Sequence, residues 1–259
     1  MKKLYVEHTD IVLFLLFPIA ASTLSFLFHT NFFFSTLLFF GIPALYLSYK
    51  NIGNVKNAVL FSAFGSLGGF VFDYVGLINN AWNVPASIFP MRILGVVPVE
   101  DLIWGFLLVY SIVMTYEHFF NTTRHSSKNT KINLWNAIHV LILMMFFLVF
   151  FFMPTLFRID YFYVKTGSLF ILIPSLSFLI FYPMLISRFI KIGTYFFFQG
   201  LLFELTGLSL NQWNFEGAQS IGWIHILSVR FPIEECIFWL LLFAVCIVSF
   251  YEFFYDDRK

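Results

Sequence analysis

Charged residues are scarce in this chain, and their scarcity excludes an ordinary soluble protein. Only 11% of its 259 residues are Asp, Glu, Lys or Arg, whereas 60% are hydrophobic and 22% are aromatic. Soluble domains usually contain about 25% charged residues. The 15 Lys and Arg residues nearly balance the 14 Asp and Glu residues, so nothing favours a nucleic acid partner. The composition therefore predicts a polytopic membrane protein.

Cysteine is also rare, and the usual cofactor motifs are missing. Cys236 and Cys246 are ten residues apart on one predicted helix, roughly 15 Å along its axis, which is too far for a disulfide. The sequence has no CxxC pair, no histidines at metal-ligand spacing and no dinucleotide fingerprint. We therefore expect no metal and no cofactor.

Long apolar runs, in contrast, fill the chain. Eight of them approach the roughly 20 residues that cross a hydrocarbon core. They cover 10–29, 31–49, 55–79, 98–119, 136–157, 166–187, 190–208 and 231–254. Backbone groups in lipid must find their partners within the spanning segment, so such runs form helices. The sequence predicts an all-α membrane protein with about eight transmembrane helices.

The distribution of basic residues predicts the orientation of these helices. If the N-terminus is cytoplasmic, eleven Lys and Arg residues fall in the inside segments. The outside segments then contain four, namely Arg92, Arg158, Lys165 and Arg230. The positive-inside rule therefore favours a multi-pass protein of the cell membrane with both termini in the cytoplasm.

A pattern of residues in the first half of the chain recurs in the second half. At a shift of 131, the repeated positions are Asp73 and Glu204, Gly76 and Gly207, Asn80 and Asn211, Trp82 and Trp213, and Asn83 and Asn214. Four predicted spans separate equivalent positions, so both copies cross the membrane in the same direction. We predict two parallel four-helix repeats, at 1–120 and 136–259, joined by a polar linker at 121–135.

Each half also contains a proline followed closely by two acids, at the start of a long apolar run. The motifs are Pro98-Val99-Glu100-Asp101 and Pro232-Ile233-Glu234-Glu235. Proline at the first position and an acid near the positive end of a helix make a good helix start, which is the simplest explanation. A charge near the bilayer centre costs roughly 2.5–3.5 kcal/mol, however, so paired acids beside apolar residues also suggest chemistry.

Aromatic side chains are predicted to share helix faces with these acids. Residues four apart lie on one face, which pairs Glu100 with Trp104, Glu234 with Phe238, and Glu235 with Trp239. An acid beside an aromatic face suits the protonation of an alkene, since the ring stabilises a cation by roughly 0.5–2 kcal/mol. In a chain so rich in aromatics, ordinary packing explains the spacing equally well.

The repeated Trp-Asn pairs follow the remaining acids of the pattern. Trp82 and Asn83 come about ten residues after Asp73, and the second half repeats this spacing after Glu204. Trp often anchors a protein at the membrane interface, which explains the rings alone. The accompanying Asn suggests instead a loop folded over the acids, in which the amide hydrogen-bonds a carboxyl group.

In the order of these motifs, the chain resembles the membrane-integral lycopene cyclases, whose repeats occur as two subunits or fused in one chain. The resemblance covers roughly 31–120 and 162–255 and lies in an acid, then Trp-Asn, then Pro-x-Glu-acid, in both halves. The chain departs from the family pattern in using Asp101 for the usual second Glu and Glu204 for the usual Asp. The spans at 10–29 and 136–157 are also additional to the family's three-helix unit.

The resemblance implies a proton-initiated, redox-neutral cyclisation of the acyclic ends of lycopene or a related carotenoid. It implies that Glu100 and Glu234 are the key acids and that Asp101 and Glu235 assist as partner or proton acceptor. The carotenoid would enter from the bilayer, and two fused repeats would need no partner subunit. On this basis Glu100→Gln and Glu234→Gln should abolish or strongly reduce cyclisation.

Two other functions suit the same sequence features. Parallel repeats, kinked helices and intramembrane acids are also found in proton-coupled transporters and channels. A transporter would place its acids near the middle of broken helices, whereas the acids here are predicted at helix starts. The third possibility is a carotenoid-binding protein whose acids are inert.

Overall fold

Eight helices contain most of the residues that the structure, a computed structural model, describes. The described residues are 8–120, 130–217 and 219–254. The helices are α1 (His8–Phe28), α2 (Phe32–Lys50), α3 (Val55–Ile78), α4 (Val99–Phe119), α5 (Thr130–Phe152), α6 (Phe162–Phe181), α7 (Ile186–Ser209) and α8 (Glu235–Phe254). Each predicted apolar run corresponds to one of them, so the all-α prediction is confirmed.

Six of the helices, namely α1, α2, α3, α4, α6 and α8, are long and apolar enough to cross a membrane. Helix α5 has a shorter apolar stretch, Ala137–Phe152, and α7 contains Arg188, Lys191 and Glu204. Many leucine, isoleucine and phenylalanine side chains of these helices lie on the outside of the molecule. Length, composition and this apolar surface indicate a multi-pass membrane protein.

Two helices end earlier than the apolar runs suggest, because of proline. Helix α5 was expected to reach residue 157 and α6 residue 187, but they end at Phe152 and Phe181. Short 3-10 turns begin at Pro154 and Pro183. Proline disfavours helical geometry in the residue before it, so these two prolines end helices that continued hydrophobicity alone would have extended.

Two other prolines lie inside continuous helices, directly after a turn of π-helix. The π-helical turns are Leu37–Gly41, before Pro43, and Ser168–Leu172, before Pro174. A proline has no N–H for the carbonyl one turn earlier, and a local widening of the helix accommodates that loss. These turns occur 131 residues apart, at the shift found in the sequence.

The carbonyl groups that the two prolines leave without a helical partner are bonded by side chains. Gln199 Nε2 donates to the carbonyl of Phe39 over 2.5 Å, and Cys246 Sγ donates to the carbonyl of Phe170 over 3.3 Å. Because protein groups satisfy these carbonyls, the wide turns are stable inside an apolar interior.

Helix α4 lies at the centre of the bundle. It packs along α3 and also contacts α2 and α8, and its residues Ile112, Val113, Met114 and Tyr116 have no exposed surface. Helix α7 packs against α8 and α1. The contact between α4 and α8 therefore joins the first half of the chain to the second.

A short antiparallel hairpin precedes each of the helices α4 and α8. Strands β1 (Arg92–Ile93) and β2 (Val97–Pro98) lead into α4. Strands β3 (Trp223–Ile226) and β4 (Val229–Pro232) lead into α8. The hairpins and the chain before them cover one end of the bundle, where the repeated acids lie. Of the predicted linker, residues 121–129 are outside the described part of the chain.

Candidate functional site

An apolar cavity of about 110 Å³ lies between the two halves of the bundle. Its walls contain four carboxyl groups, Asp73 from α3, Asp101 from α4, Glu204 from α7 and Glu235 from α8. Asp73 and Glu204 are near the ends of their helices, whereas Asp101 and Glu235 are at the starts of theirs. The sequence predicted each of these acids as a site residue, and the structure brings all four to one cavity.

Four indole rings also face this cavity, and they are those of Trp82, Trp104, Trp213 and Trp239. Trp104 and Trp239 contact each other across the two halves, with 5.7 Å between ring centroids. Phe238, also predicted for the site, packs against Tyr163 with centroids 6.3 Å apart and is not among the described lining residues. Aromatic faces beside carboxyl groups give the cavity the means to stabilise a cation.

A tight turn at the end of α3 places Trp82 over its acid. Asn80 adopts a left-handed conformation with φ of 53°, and the N–H of Ala81 donates to the carbonyl of Gly76 over 2.9 Å. This is the bonding of a Schellman motif, for which Asn is one of the few suitable residues other than Gly. The chain then folds back, so that Trp82 Nε1 donates to Asp73 Oδ1 over 3.0 Å.

The same turn occurs at the end of α7. Asn211 has φ of 54°, and the N–H of Gln212 donates to the carbonyl of Gly207 over 2.9 Å. Trp213 Nε1 then donates to Glu204 Oε1 over 3.0 Å. The repeated sequence pattern thus encodes a repeated local structure, in which an indole N–H supplies one hydrogen bond to a buried carboxyl group.

The repeated glycines make room for the two indole rings. A Cβ atom on Gly76 would lie 2.2 Å from the ring of Trp82, and one on Gly207 would lie 1.9 Å from the ring of Trp213. Any side chain larger than hydrogen would therefore displace the ring that bonds the acid.

The two asparagines beside these tryptophans join the halves through their backbones. The N–H of Asn83 donates to the carbonyl of Asn214 over 2.8 Å, and the N–H of Asn214 donates back over 2.9 Å. The sequence interpretation expected the Asn amides to bond the acids. In the structure the indoles of Trp82 and Trp213 do so instead, and the asparagines form a bridge between the two loops.

Asp101 is the least satisfied polar group of the cavity. Its side chain is 6% exposed, and no N–H or O–H group in the described part of the chain donates to either carboxyl oxygen. Asp73 is close enough to Asp101 to interact with it electrostatically. Two neighbouring carboxyl groups in an apolar site repel each other when both are charged, so we expect at least one of this pair to hold a proton.

Glu235, the corresponding acid of α8, has a hydroxyl donor. The phenol of Tyr163 donates a short hydrogen bond to Glu235 Oε2, and both side chains are buried. Glu204 is close enough to Glu235 to interact electrostatically with it, but it takes its own hydrogen bond from Trp213. The two acids of the second half are therefore bonded separately.

The first acid of each Pro-x-acid-acid motif faces away from the cavity. Glu100 accepts hydrogen bonds from Ser87 Oγ over 2.5 Å, from the N–H of Ile88 over 2.6 Å and from the N–H of Phe89 over 3.2 Å. It is 1% exposed and is not among the cavity-lining residues that the structure describes. These contacts hold the loop between α3 and α4 onto the start of α4.

Glu234 has the corresponding contacts in the second half. It accepts from Ser220 Oγ and from the N–H of Ile221, each over 2.7 Å. Glu234 also borders a separate, smaller cavity of about 30 Å³. The predicted role of Glu100 and Glu234 in proton transfer stays a prediction, while their visible contacts are those of residues that position a loop.

Within the described residues, no group of three or more His, Cys, Asp and Glu side chains is arranged to hold a metal ion. Comparisons of the chain with protein-family models, with curated proteins and with solved structures found no match. The residues and geometry of the cavity are therefore the main indication of function.

Tyr163 is the site residue that sequence reasoning missed. Tyr163 is the second residue of α6, a helix that contains no Asp or Glu and none of the repeated acid, Trp-Asn or Pro-x-acid-acid motifs. The residue 131 positions earlier is Phe32. The sequence did contain one signal for Tyr163: Phe32 and Tyr163 are an aromatic pair at the repeat shift of 131, and only Tyr163 has a hydroxyl group. Its importance follows from the tertiary contact with Glu235 alone.

Proposed function

We propose that this chain is a membrane-integral carotenoid cyclase, an isomerase that closes the acyclic end groups of lycopene or a related carotenoid into ionone-type rings. The observation that supports it most is the cavity, where four buried carboxyl groups face four indole rings in apolar surroundings. Protonation of an alkene needs a general acid in a water-poor site, and the resulting carbocation needs aromatic faces and a nearby base. The cavity contains each of these elements.

The size of the cavity agrees with one end group as the reacting part of the substrate. An apolar cavity of about 150 Å³ accommodates a benzene molecule, so about 110 Å³ suits part or all of a single six-membered ring. A whole carotenoid is far larger, and the remaining polyene would extend away from the cavity towards the lipid. The ends of a symmetric carotenoid would then react one after the other.

We further propose that the two halves, 1–120 and 136–259, are parallel repeats related by an axis between Asn83 and Asn214. Reciprocal contacts support this arrangement. Besides the two Asn hydrogen bonds, Tyr251 donates to Glu117 over 2.7 Å and Tyr116 donates to Glu252. A pair of contacts that each half makes to the other is what an axis of this kind produces.

In this arrangement all eight helices would cross the cell membrane, and both termini would be cytoplasmic, as the basic residues indicate. The acids of the cavity would then be near the outer face. The substrate would come from the bilayer, no cofactor would be needed, and both repeats in one chain would make a partner subunit unnecessary.

The position of the acids along the helices favours the cyclase over a proton-coupled transporter. Asp73 is five residues before the end of α3, roughly 7.5 Å along the axis, and Asp101 is in the first turn of α4. The acids are therefore at helix ends, not at a midplane break. The wide turns before Pro43 and Pro174 have carbonyls that side chains already bond, so they offer less to a transported ion.

The test is conversion of lycopene by membranes that contain the chain. The expected product has the mass of lycopene but a different retention time and absorption spectrum, and membranes in heavy water should introduce a deuterium at each ring formed. A product of unchanged mass in heavy water would contradict protonation as the first step. If acyclic carotenoids of several lengths bind but are never converted, the carotenoid-binding alternative replaces the cyclase.

A further inference from the structure

The two acid pairs of the cavity have different hydrogen-bond donors, although the frames that hold them match. Trp82 bonds Asp73 and Trp213 bonds Glu204, each over 3.0 Å. The difference is at the other two acids of the cavity: Tyr163 donates to Glu235, whereas no described group donates to Asp101. Chemistry that needs an acid and a base in one cavity can use such a difference.

A buried carboxylate is stabilised when donors surround it, and hydrogen bonds to a charged acceptor are about twice as strong as neutral ones. Glu235 has such a donor in the phenol of Tyr163. A buried carboxyl group without donors is stable only when it holds its own proton, because an uncompensated charge in an apolar site is very costly. Asp101 is in that situation, and the neighbouring carboxyl group of Asp73 makes a charge on Asp101 still more costly.

We infer that Asp101 is the proton donor of the cavity and that Glu235, positioned by Tyr163, is the carboxylate that removes a proton at the end of the reaction. This inference rests on the proposed cyclase function and goes beyond it by giving each half of the cavity a different role. It also differs from the sequence-based expectation, in which Glu100 and Glu234 were the key acids.

The proposed steps balance in atoms and charge. The O–H bond of Asp101 breaks, and its proton adds to the terminal alkene carbon, leaving a tertiary carbocation whose charge balances that of the new Asp101 carboxylate. The next double bond attacks the cation and forms the ring C–C bond. Glu235 then takes a proton from a neighbouring carbon, which makes the ring double bond. Before the next turnover Glu235 gives up its proton to solvent and Asp101 takes one from solvent, so the net change is an isomerisation and solvent supplies the proton added to each ring.

The two roles predict different failures in variants. Without the donor no cation forms, so Asp101→Asn should lower conversion by about 100-fold or more, for every ring type. Tyr163→Phe leaves Asp101 intact but removes the hydrogen bond that positions Glu235. Conversion should therefore stay within about tenfold of the original, while the ratio of β to ε rings changes. A residue needed only for packing would change yield without changing that ratio.

A matched control removes a buried phenol elsewhere. Tyr110 is also buried and bonds Ser48 Oγ over 2.6 Å on the side of α4 away from the cavity. Tyr110→Phe should leave the product ratio unchanged. If Asp101→Asn keeps conversion while Tyr163→Phe changes only the yield, the assignment of roles is overturned.

A second measurement needs no substrate and therefore separates this inference from the cyclase proposal. Infrared spectra of the purified full-length protein in normal and heavy water report protonated carboxyl groups by their C=O stretching band. We expect Asp101→Asn to remove such a band and Glu235→Gln to remove carboxylate absorption only. The opposite pattern would overturn the inference, whether or not lycopene proves to be the substrate.

Discussion

Phe32 and Tyr163 are 131 residues apart and each packs against a repeated tryptophan, yet only Tyr163 can donate a hydrogen bond. Phe32 packs against Trp213 with centroids 5.5 Å apart, and Tyr163 packs against Trp82 with centroids 5.4 Å apart. Tyr163 additionally donates to Glu235. The comparison shows that two similar aromatic contacts coexist with different surroundings for Asp101 and Glu235, because only Tyr163 has a hydroxyl group.

The acids themselves differ in the same direction. The first half uses Asp73 and Asp101, whereas the second half uses the longer Glu204 and Glu235. In the shorter pair only Asp73 has a donor among the described residues, whereas each member of the longer pair has its own. The Tyr163 hydroxyl therefore favours a charged carboxylate at Glu235, and the lack of a described donor favours a protonated acid at Asp101.

The largest effect, a loss of folding stability, is expected at Gly76 and Gly207, where the two halves are most alike and each glycine packs against an indole ring. Gly76→Ala and Gly207→Ala each introduce a Cβ into a ring, and overpacking of this kind costs about 1–3 kcal/mol or more. Gly207→Ala should be the more severe, since its Cβ would lie 1.9 Å from Trp213. Thermal unfolding of the purified protein, followed by circular dichroism, measures the loss.

Gly69→Ala is the matched control for these variants, because it lies on α3 as Gly76 does and its Cβ would meet no described atom within 4 Å. It should leave the unfolding temperature unchanged or slightly raised. Equal losses in Gly69→Ala and Gly76→Ala would show that the contact with the indole ring does not explain the requirement for glycine at position 76.

A second variant would make the two halves more alike. Phe32→Tyr adds a hydroxyl to a ring that lines the same cavity as Asp101. A new hydrogen bond to Asp101 in its charged form would favour the carboxylate, so a smaller fraction of the protein would hold the proton that is to be donated. A bond to a charged group is worth about 1.5–3 kcal/mol, so conversion should fall about tenfold or more. Product analysis of the membranes described above measures it.

Phe33→Tyr provides the control, since the ring of Phe33 contacts Phe34 and Phe89 and is not among the described lining residues. It should convert lycopene at the unchanged rate. Undiminished conversion by Phe32→Tyr would mean that the difference between the halves has no part in the chemistry.

The smallest effect on conversion is expected at Glu100 and Glu234, the first acid of each Pro-x-acid-acid motif. Glu100→Gln and Glu234→Gln keep an oxygen that can accept from the loop N–H groups, and each loses about 1 kcal/mol by exchanging charged hydrogen bonds for neutral ones. We therefore expect less than about a tenfold loss of conversion from either. Complete loss in both variants, with normal insertion into the membrane, would restore the sequence-based assignment of these residues as proton donors.

Much of the fold could be predicted because lipid leaves few choices. Each apolar run became a helix, since a backbone in hydrocarbon has to bond within its own segment. The break at His29-Thr30-Asn31 was also predicted, and α2 begins there with the Asn31 side chain accepting from the N–H of Phe34 over 3.1 Å. The ends of α5 and α6 were missed because hydrophobicity continues past Pro154 and Pro183 while backbone geometry does not.

The sequence by itself determined the repeated unit, an acid followed by Gly, Asn and Trp at fixed spacing, because these contacts form within eleven residues of one helix end. Only the tertiary structure decided which acids face a common cavity. Glu100 and Asp101 are adjacent in the chain but point to different surroundings, one to a loop and the other to the cavity. Neighbours on a helix diverge by about 100°, so the packing of other helices around them, not their order, separates their roles.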